Sequence, residues 1–167
     1  MAQVIKKQEL DQYNTTAMKV ELLKAAYMAG RRDFSRSQLQ NICLYKAHLA
    51  AINFSDAYLN RAILSKANLE RAYFNRAVLY AANLNQALLY QASLIEANLE
   101  KANLSHATLN HTNLSGANLR NANLEHAQLV WANLRGANLK DANLDKANLT
   151  GAKFGQTIMP DGSIRND

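Results

Sequence analysis

A five-residue unit repeats without a break from residue 32 to residue 156. Each unit is centred on a large apolar residue, and the 25 centres, at 34, 39, 44 and so on to 154, are 21 Leu and four Phe. Five residues advance an α-helix by about 140° beyond a full turn, and an odd step changes the face of a strand. The chain can bury every centre only if it turns once per unit. This period predicts a solenoid of stacked coils that bury their apolar sides against one another.

The spacing of the Phe centres predicts how many units close one coil. Phe34, Phe54, Phe74 and Phe154 differ in position by multiples of 20 residues. Four units per coil would stack the Phe rings on one wall of a four-sided shaft, and residues 20 apart would become vertical neighbours. Ala stands two residues before the centre in 20 units, where a small side chain suits a narrow interior.

The repeat Ala-Asn-Leu-x-x, most regular over residues 132–151, resembles that of the pentapeptide repeat family. Residues 21–34 look like the helical lead-in of cyanobacterial members, and residues 157–163 look like their tail. The resemblance implies an all-β solenoid. Its form is a right-handed quadrilateral β-helix of about six coils, with four pentapeptides per coil and an N-terminal α-helical cap.

Three segments are predicted: an N-terminal helical cap over 1–30, the pentapeptide-repeat β-helix over 31–156, and a C-terminal cap or tail over 157–167. The helix is expected to cover the open end of the first coil, because solenoids need polar caps at their ends. The alternative is that it also recruits a partner or pairs with another copy.

Helical periodicity is confined to the N-terminal segment. A first helical stretch from Val4 to Gln12 is predicted less strongly than the helix that follows it. One apolar stripe is predicted on that second helix, formed by Met18, Leu22, Ala25 and Ala29. Gly30 is the expected residue after the C-cap. The candidate N-caps are Asn14, Thr15 and Thr16.

Charge is unevenly distributed along the chain, whose net charge is +6. Residues 31–76 hold eight basic and three acidic residues, whereas residues 77–167 hold seven of each. The candidate basic patch is Arg61, Lys66, Arg71 and Arg76. No apolar run is long enough for a membrane span or a secretory leader, and Cys43 is the only cysteine, so a cytoplasmic location is expected.

Most outward positions are polar, so apolar exceptions stand out as a candidate partner-binding patch. Its members, which the 20-residue step places on one wall, are Leu88, Tyr90, Val130 and Trp131. The same step stacks His106 and His126, which suggests a metal site. The residues one 20-residue step before and after this pair are Gln and Lys, however, and a closed metal site needs three or four ligands. Surface histidines are therefore the better interpretation.

No catalytic motif, phosphate-binding loop, cysteine pair or cofactor signature occurs, so the sequence predicts no enzyme, no metal and no cofactor. The leading hypothesis is a non-catalytic protein-interaction or scaffold module. The family resemblance suggests as an alternative a DNA mimic that binds topoisomerases, which the basic charge disfavours. Weak binding of nucleic acid or an anionic surface through the basic coils is a third reading. Homodimerisation through a solenoid end or the N-terminal helix is a further alternative.

Overall fold

The computed structural model describes residues 16–167. Those residues contain one helix, α1 (Thr16–Met28), then the repeats, and finally a two-stranded antiparallel hairpin of β1 (Thr157–Ile158) and β2 (Ile164–Arg165). The helical stretch expected from Val4 to Gln12 and the candidate caps Asn14 and Thr15 lie outside the described residues.

The repeats form stacked coils in which residues 20 positions apart pair as parallel β-bridges, beginning with Asp33 and Asn53. Four units therefore separate hydrogen-bonded neighbours. A typical interior unit makes three backbone hydrogen bonds to adjacent coils, with N···O distances of 2.7–3.1 Å. We number the four walls from their first centres: wall 1 from Phe34, wall 2 from Leu39, wall 3 from Leu44 and wall 4 from Leu49.

The two residues after each centre make the corner, which we call the first and second corner positions. At all 25 second corner positions φ is positive, and only three of these residues are Gly. A hydrogen bond from the residue after the corner back to the centre closes nearly every turn, as Ala47 N to Leu44 O does at 3.0 Å. Positive φ at the third residue of such a turn is the type II signature. No Val, Ile or Thr stands at any second corner position, because β-branched side chains are strongly disfavoured there.

Adjacent alanines in one corner allow a matched test of this backbone. Ala51 has φ 56°, while Ala50 is the first corner residue of the same turn. We expect Ala51→Val to lower the free energy of unfolding by about 1–3 kcal/mol through backbone strain. Ala50→Val should change it by no more than about 0.5 kcal/mol. Urea denaturation of both variants measures the difference, and equal costs would contradict the turn assignment.

The Asn residues before the centres stabilise the turns through their side chains. In all 12 units with Asn at that position, the side-chain Oδ1 accepts the backbone N–H two residues on, as Asn53 does from Ser55 at 3.0 Å. This local bond is the one by which Asn stabilises turns. The ladder of amides between coils is partial: Asn133 Nδ2 donates to Asn113 Oδ1 at 3.1 Å, and a few similar pairs occur.

The interior is a continuous column of Leu, Phe and Ala. Nearly every centre is fully buried, and Phe34, Phe54 and Phe74 lie one above another as predicted, with tilted rings whose centroids are 6.2 and 5.5 Å apart. Thr112 replaces an inward Ala, and its hydroxyl donates to Leu89 O at 2.9 Å, so the buried polar group is satisfied.

The face of α1 that packs against the first coil differs from the predicted stripe. Val20, Leu23 and Ala26 are buried, whereas Met18 is 47% exposed and Ala25 and Ala29 are exposed. Of the predicted stripe only Leu22 packs against the core, where it is half-buried beside the fully buried Leu23, so the prediction was wrong for the other three residues.

Polar contacts explain why the other stripe is buried. Tyr27 donates its hydroxyl to Ala50 O at 2.9 Å, and Lys19 Nζ donates to Gln38 O at 3.1 Å. This face therefore both packs and satisfies carbonyl groups of the first coil. Gly30 follows the C-cap as predicted, with φ 93° and paired bonds from Gly30 N to Tyr27 O and from Arg31 N to Ala26 O.

The tail continues the last coil before it turns back. Ile158 pairs with Asn138 on wall 2, and Thr157 Oγ1 donates to Leu134 O at 2.7 Å. In the loop of the hairpin, Asp161 Oδ1 accepts hydrogen bonds from the hydroxyl and the backbone N–H of Ser163. These hydrogen bonds lower the pKa of the Asp161 carboxyl.

Candidate protein-interaction surface

The predicted apolar residues lie on one wall. Leu88 precedes a centre of wall 4, Tyr90 and Val130 occupy first corner positions of that wall, and Trp131 follows Val130. Bridges from Leu88 to Thr108 and from Thr108 to Gln128 place the two pairs two coils apart. Leu88 is 40% exposed and Trp131 55%, whereas Tyr90 and Val130 are half-buried.

A histidine that was not among the predicted residues lies between the two pairs. His111 stands 20 residues before Trp131, and its ring meets that of Tyr90 edge to face with a centroid separation of 5.5 Å. Tyr90, His111 and Trp131 thus follow one another up the same corner. The 20-residue step could have identified His111, because it is the vertical neighbour of Trp131. We call Leu88, Tyr90, His111, Val130 and Trp131 the aromatic wall.

The aromatic wall is held in place from below and from above. Asn110 Oδ1 accepts the backbone N–H of Val130 at 3.0 Å, so this corner residue is not a silent surface position. At the other end, the six-membered ring of Trp131 lies over Gly151: a Cβ added at Gly151 would stand 2.6 Å from Trp131 Cε3. The glycine therefore provides the space in which the indole lies.

The single Trp of the chain allows a test of that contact. We expect Gly151→Ala to displace the indole and shift its fluorescence emission to longer wavelength, because the added methyl occupies the position of the ring. Gly136→Ala is the matched control, with the same φ of 68° but its nearest neighbour a backbone atom at 3.7 Å. If both variants left the emission spectrum unchanged, Trp131 would not pack on Gly151.

The predicted basic residues do not share one wall. Arg61, Lys66, Arg71 and Arg76 occupy four successive second corner positions, so they form a ring around the shaft. Arg76 makes two hydrogen bonds to Asp56, of 2.8 and 3.0 Å, which raise the pKa of its guanidinium, and Arg71 Nε donates to Gln91. Asp56 lies one coil before Arg76 at the same corner, in a column where Arg36, Asp56, Arg76 and Glu96 alternate in charge.

The predicted pair of histidines is stacked across two coils. The rings of His106 and His126 are almost parallel, at an interplanar angle of 7°, with centroids 4.8 Å apart. Within residues 16–167, no group of three or more His, Cys, Asp or Glu side chains is placed to hold a metal ion. Nor does that part of the chain contain a helix with the length and apolar character needed to cross a membrane.

The far end of the shaft is less covered than its interior. Leu144 and Leu149 are half-buried, unlike the Leu centres of all earlier coils in the described chain. The partly exposed Ala147 and Ala152 belong to the same end. Apolar side chains are therefore accessible where walls 3 and 4 end.

The comparisons with known proteins found solved structures of pentapeptide repeat proteins to which this chain is similar. Among solved structures, a pentapeptide repeat protein (Rfr23) of the cyanobacterium Cyanothece 51142 is 29% identical, with coverage of 86% of this chain and 97% of that chain and a TM-score of 0.57. The pentapeptide repeat protein alr5209 of Nostoc PCC 7120 is 32% identical, with coverage of 86% and 78% and a TM-score of 0.44.

A third structure shares the fold at low identity. QnrB1, a plasmid-mediated fluoroquinolone resistance protein, is 16% identical, with coverage of 77% of this chain and 66% of that chain and a TM-score of 0.71. No protein with a curated functional description matches the chain.

The sequence profile described as Pentapeptide repeats matches in eight copies. The matched segments are residues 52–91, 72–109, 87–125, 97–136 and 122–159. These segments overlap and together take up more than half of the chain. Residue pattern, coil geometry and profile therefore agree, and the chain belongs to the pentapeptide repeat family.

Proposed function

We propose that this protein is a non-catalytic interaction module: a right-handed quadrilateral β-helix of about six coils, capped by α1, that binds a protein partner through the aromatic wall. The observation that supports this most is the run of Tyr90, His111 and Trp131 up one corner. Aromatic residues clustered on a surface are typical of the core of protein interfaces. The other walls carry mainly Asn and charged residues along their later coils.

Rigidity makes such a surface effective. The aromatic residues stand on coils held by hydrogen bonds above and below, and Gly151 and Asn110 fix the backbone and ring positions around Val130 and Trp131. A partner therefore has little to order on this side when it binds, which reduces the entropic cost of association. The exposed single thiol, Cys43, suits a reducing compartment, and we place this rod in the cytoplasm.

The charge pattern favours this reading over a DNA mimic. A mimic of DNA needs a dense negative surface, whereas this chain has a net charge of +6 and a ring of basic side chains. Because that ring places one cation on each corner, only part of it can face a single duplex. It offers at most a weak, salt-dependent attraction to nucleic acid or another anionic surface.

Affinity capture tests the proposal. The immobilised protein should retain a partner from extracts of its source cells, and Tyr90→Ser with Trp131→Ser should abolish retention. Tyr58→Ser with Tyr73→Ser is the matched control, since these tyrosines are 44% and 50% exposed on other walls. Equal loss with the control pair would contradict the assignment to the aromatic wall.

Homodimerisation is the second candidate, favoured by the half-buried Leu144 and Leu149 at the open end. Identifying the captured protein in the same experiment distinguishes homodimerisation from the binding of a different protein. If that protein is another copy of this chain and its capture survives changes to the aromatic wall, the end of the shaft is the interface.

A further inference from the structure

We propose that the groove between α1 and the first coil is a second docking site, which takes an acidic peptide segment of a protein partner anchored by one large apolar side chain. The groove lies two coils before the aromatic wall and has a volume of about 300 Å³. Its floor is formed by Ala47 and Leu49, and its sides include Tyr27, Met28 and Tyr45.

The size and lining of the groove fit an apolar side chain. Ala47 and Leu49 are buried, while Met28 is 84% and Tyr45 47% exposed beside them. Pockets for small molecules have volumes from about 300 to 1,000 Å³, so this groove is at the lower limit of that range. One or two side chains of a peptide fill such a space, and a larger ligand does not.

Apolar surface continues from the groove along wall 3. Before the centres of that wall, the first two coils carry Cys43 and Ile63, which pair as neighbours and are both exposed. The next four coils carry Asn at the same position, namely Asn83, Asn103, Asn123 and Asn143. Cys43 and Ile63 thus stand in place of Asn in the coils next to the groove. They offer an extended segment a second apolar contact.

The charge around the groove specifies the occupant. Lys24, Lys46 and His48 line it, and none of its lining residues within the described chain is acidic. Lys66 extends the positive edge, because it stands one coil above Lys46. Glu21 lies 3.8 Å from Lys24, but this exposed pair is weak. Carboxylates flanking an apolar anchor would meet the lysines of this edge, whereas a basic segment would be repelled.

The same charge argues against a symmetric pairing in which the N-terminal end of a second copy fills the groove. Residues 31–76 hold an excess of five basic residues, so two N-terminal ends brought together would repel each other.

A peptide library tests the proposal without knowledge of the partner. A random dodecapeptide phage library would be selected on the immobilised full chain and then counter-selected on Lys46→Glu. We expect the surviving peptides to carry several Asp or Glu residues around one large apolar residue. Enrichment of neutral or basic peptides, or no enrichment, would overturn the proposal.

Matched variants then locate the binding of the best peptide. Lys46→Glu should weaken its affinity at least about tenfold, measured by fluorescence anisotropy. Lys146→Glu should leave it nearly unchanged, although both lysines stand at second corner positions of wall 3 with φ 54°. Tyr45→Ser should also weaken binding, and Tyr73→Ser should not.

Two outcomes would assign the groove differently. Equal effects of Lys46→Glu and Lys146→Glu would show nonspecific attraction to a basic protein. A dimer in sedimentation that Lys46→Glu dissociates would show that a second copy fills the groove.

Discussion

Replacing Leu104 by Ala should lower the free energy of unfolding by about 2–5 kcal/mol, the usual cost of a buried Leu-to-Ala change. Leu104 is a fully buried centre of wall 3 in the middle of the shaft. The coils above and below are fixed by backbone hydrogen bonds, so they cannot close the cavity that the substitution leaves.

The control for this prediction must be chosen from the structure. Asn110 looks like a surface corner residue in the sequence, but it accepts the N–H of Val130 and is unsuitable. Gln86 is exposed at a second corner position of wall 3, the same wall as Leu104. Gln86→Ala should cost no more than about 0.5 kcal/mol in urea melts. Similar costs for the two variants would contradict the inward and outward assignment of the repeat.

Deleting residues 1–30 should cause the protein to self-associate. The truncation removes α1, in which Val20, Leu23 and Ala26 are buried in one apolar cluster with the first coil. It also removes the hydroxyl of Tyr27 and the ammonium group of Lys19 from two carbonyl groups of that coil. An uncovered coil end presents apolar side chains and unpaired backbone groups to another molecule.

Light scattering of a chain that begins at Arg31 measures the effect. A shorter deletion that removes residues 1–15 is the control, because it leaves α1 in place. A truncated chain that stays monomeric and unfolds at the same urea concentration would show that α1 does not cap the shaft. That result would favour the interpretation of α1 as a partner-recruiting helix.

The inward residues could be predicted from the sequence because the five-residue period allows them no other place. Leu and Phe at the centres must face the same side in every unit, and the 20-residue spacing of Phe34, Phe54 and Phe74 predicts their stacking. The same arithmetic shows that Arg61, Lys66, Arg71 and Arg76 fall on successive corners. Residues five apart change wall, and only residues 20 apart share one.

Features that depend on side-chain direction or on competing contacts could not be predicted from periodicity. The stripe of Met18 and Leu22 satisfies helical spacing as well as that of Val20 and Leu23 does. Hydrogen bonds from Lys19 and Tyr27 to the first coil distinguish the two faces.

The aromatic wall shows the same limit of periodic reasoning. The sequence places Trp131 and Gly151 one above the other, but the direction of the indole over the glycine is set by local packing. The part played by Asn110 likewise depends on its side-chain rotamer, which no repeat pattern contains.

Site-specific photocrosslinking tests most directly whether the aromatic wall is the interaction surface. The photoreactive residue p-benzoylphenylalanine would replace Trp131, which is 55% exposed, in one protein and Tyr73, which is 50% exposed on wall 1, in another. Irradiation in extracts of the source cells should give one defined adduct with another protein at position 131 and none at position 73. No adduct at position 131, or the same adducts at both positions, would contradict the proposal.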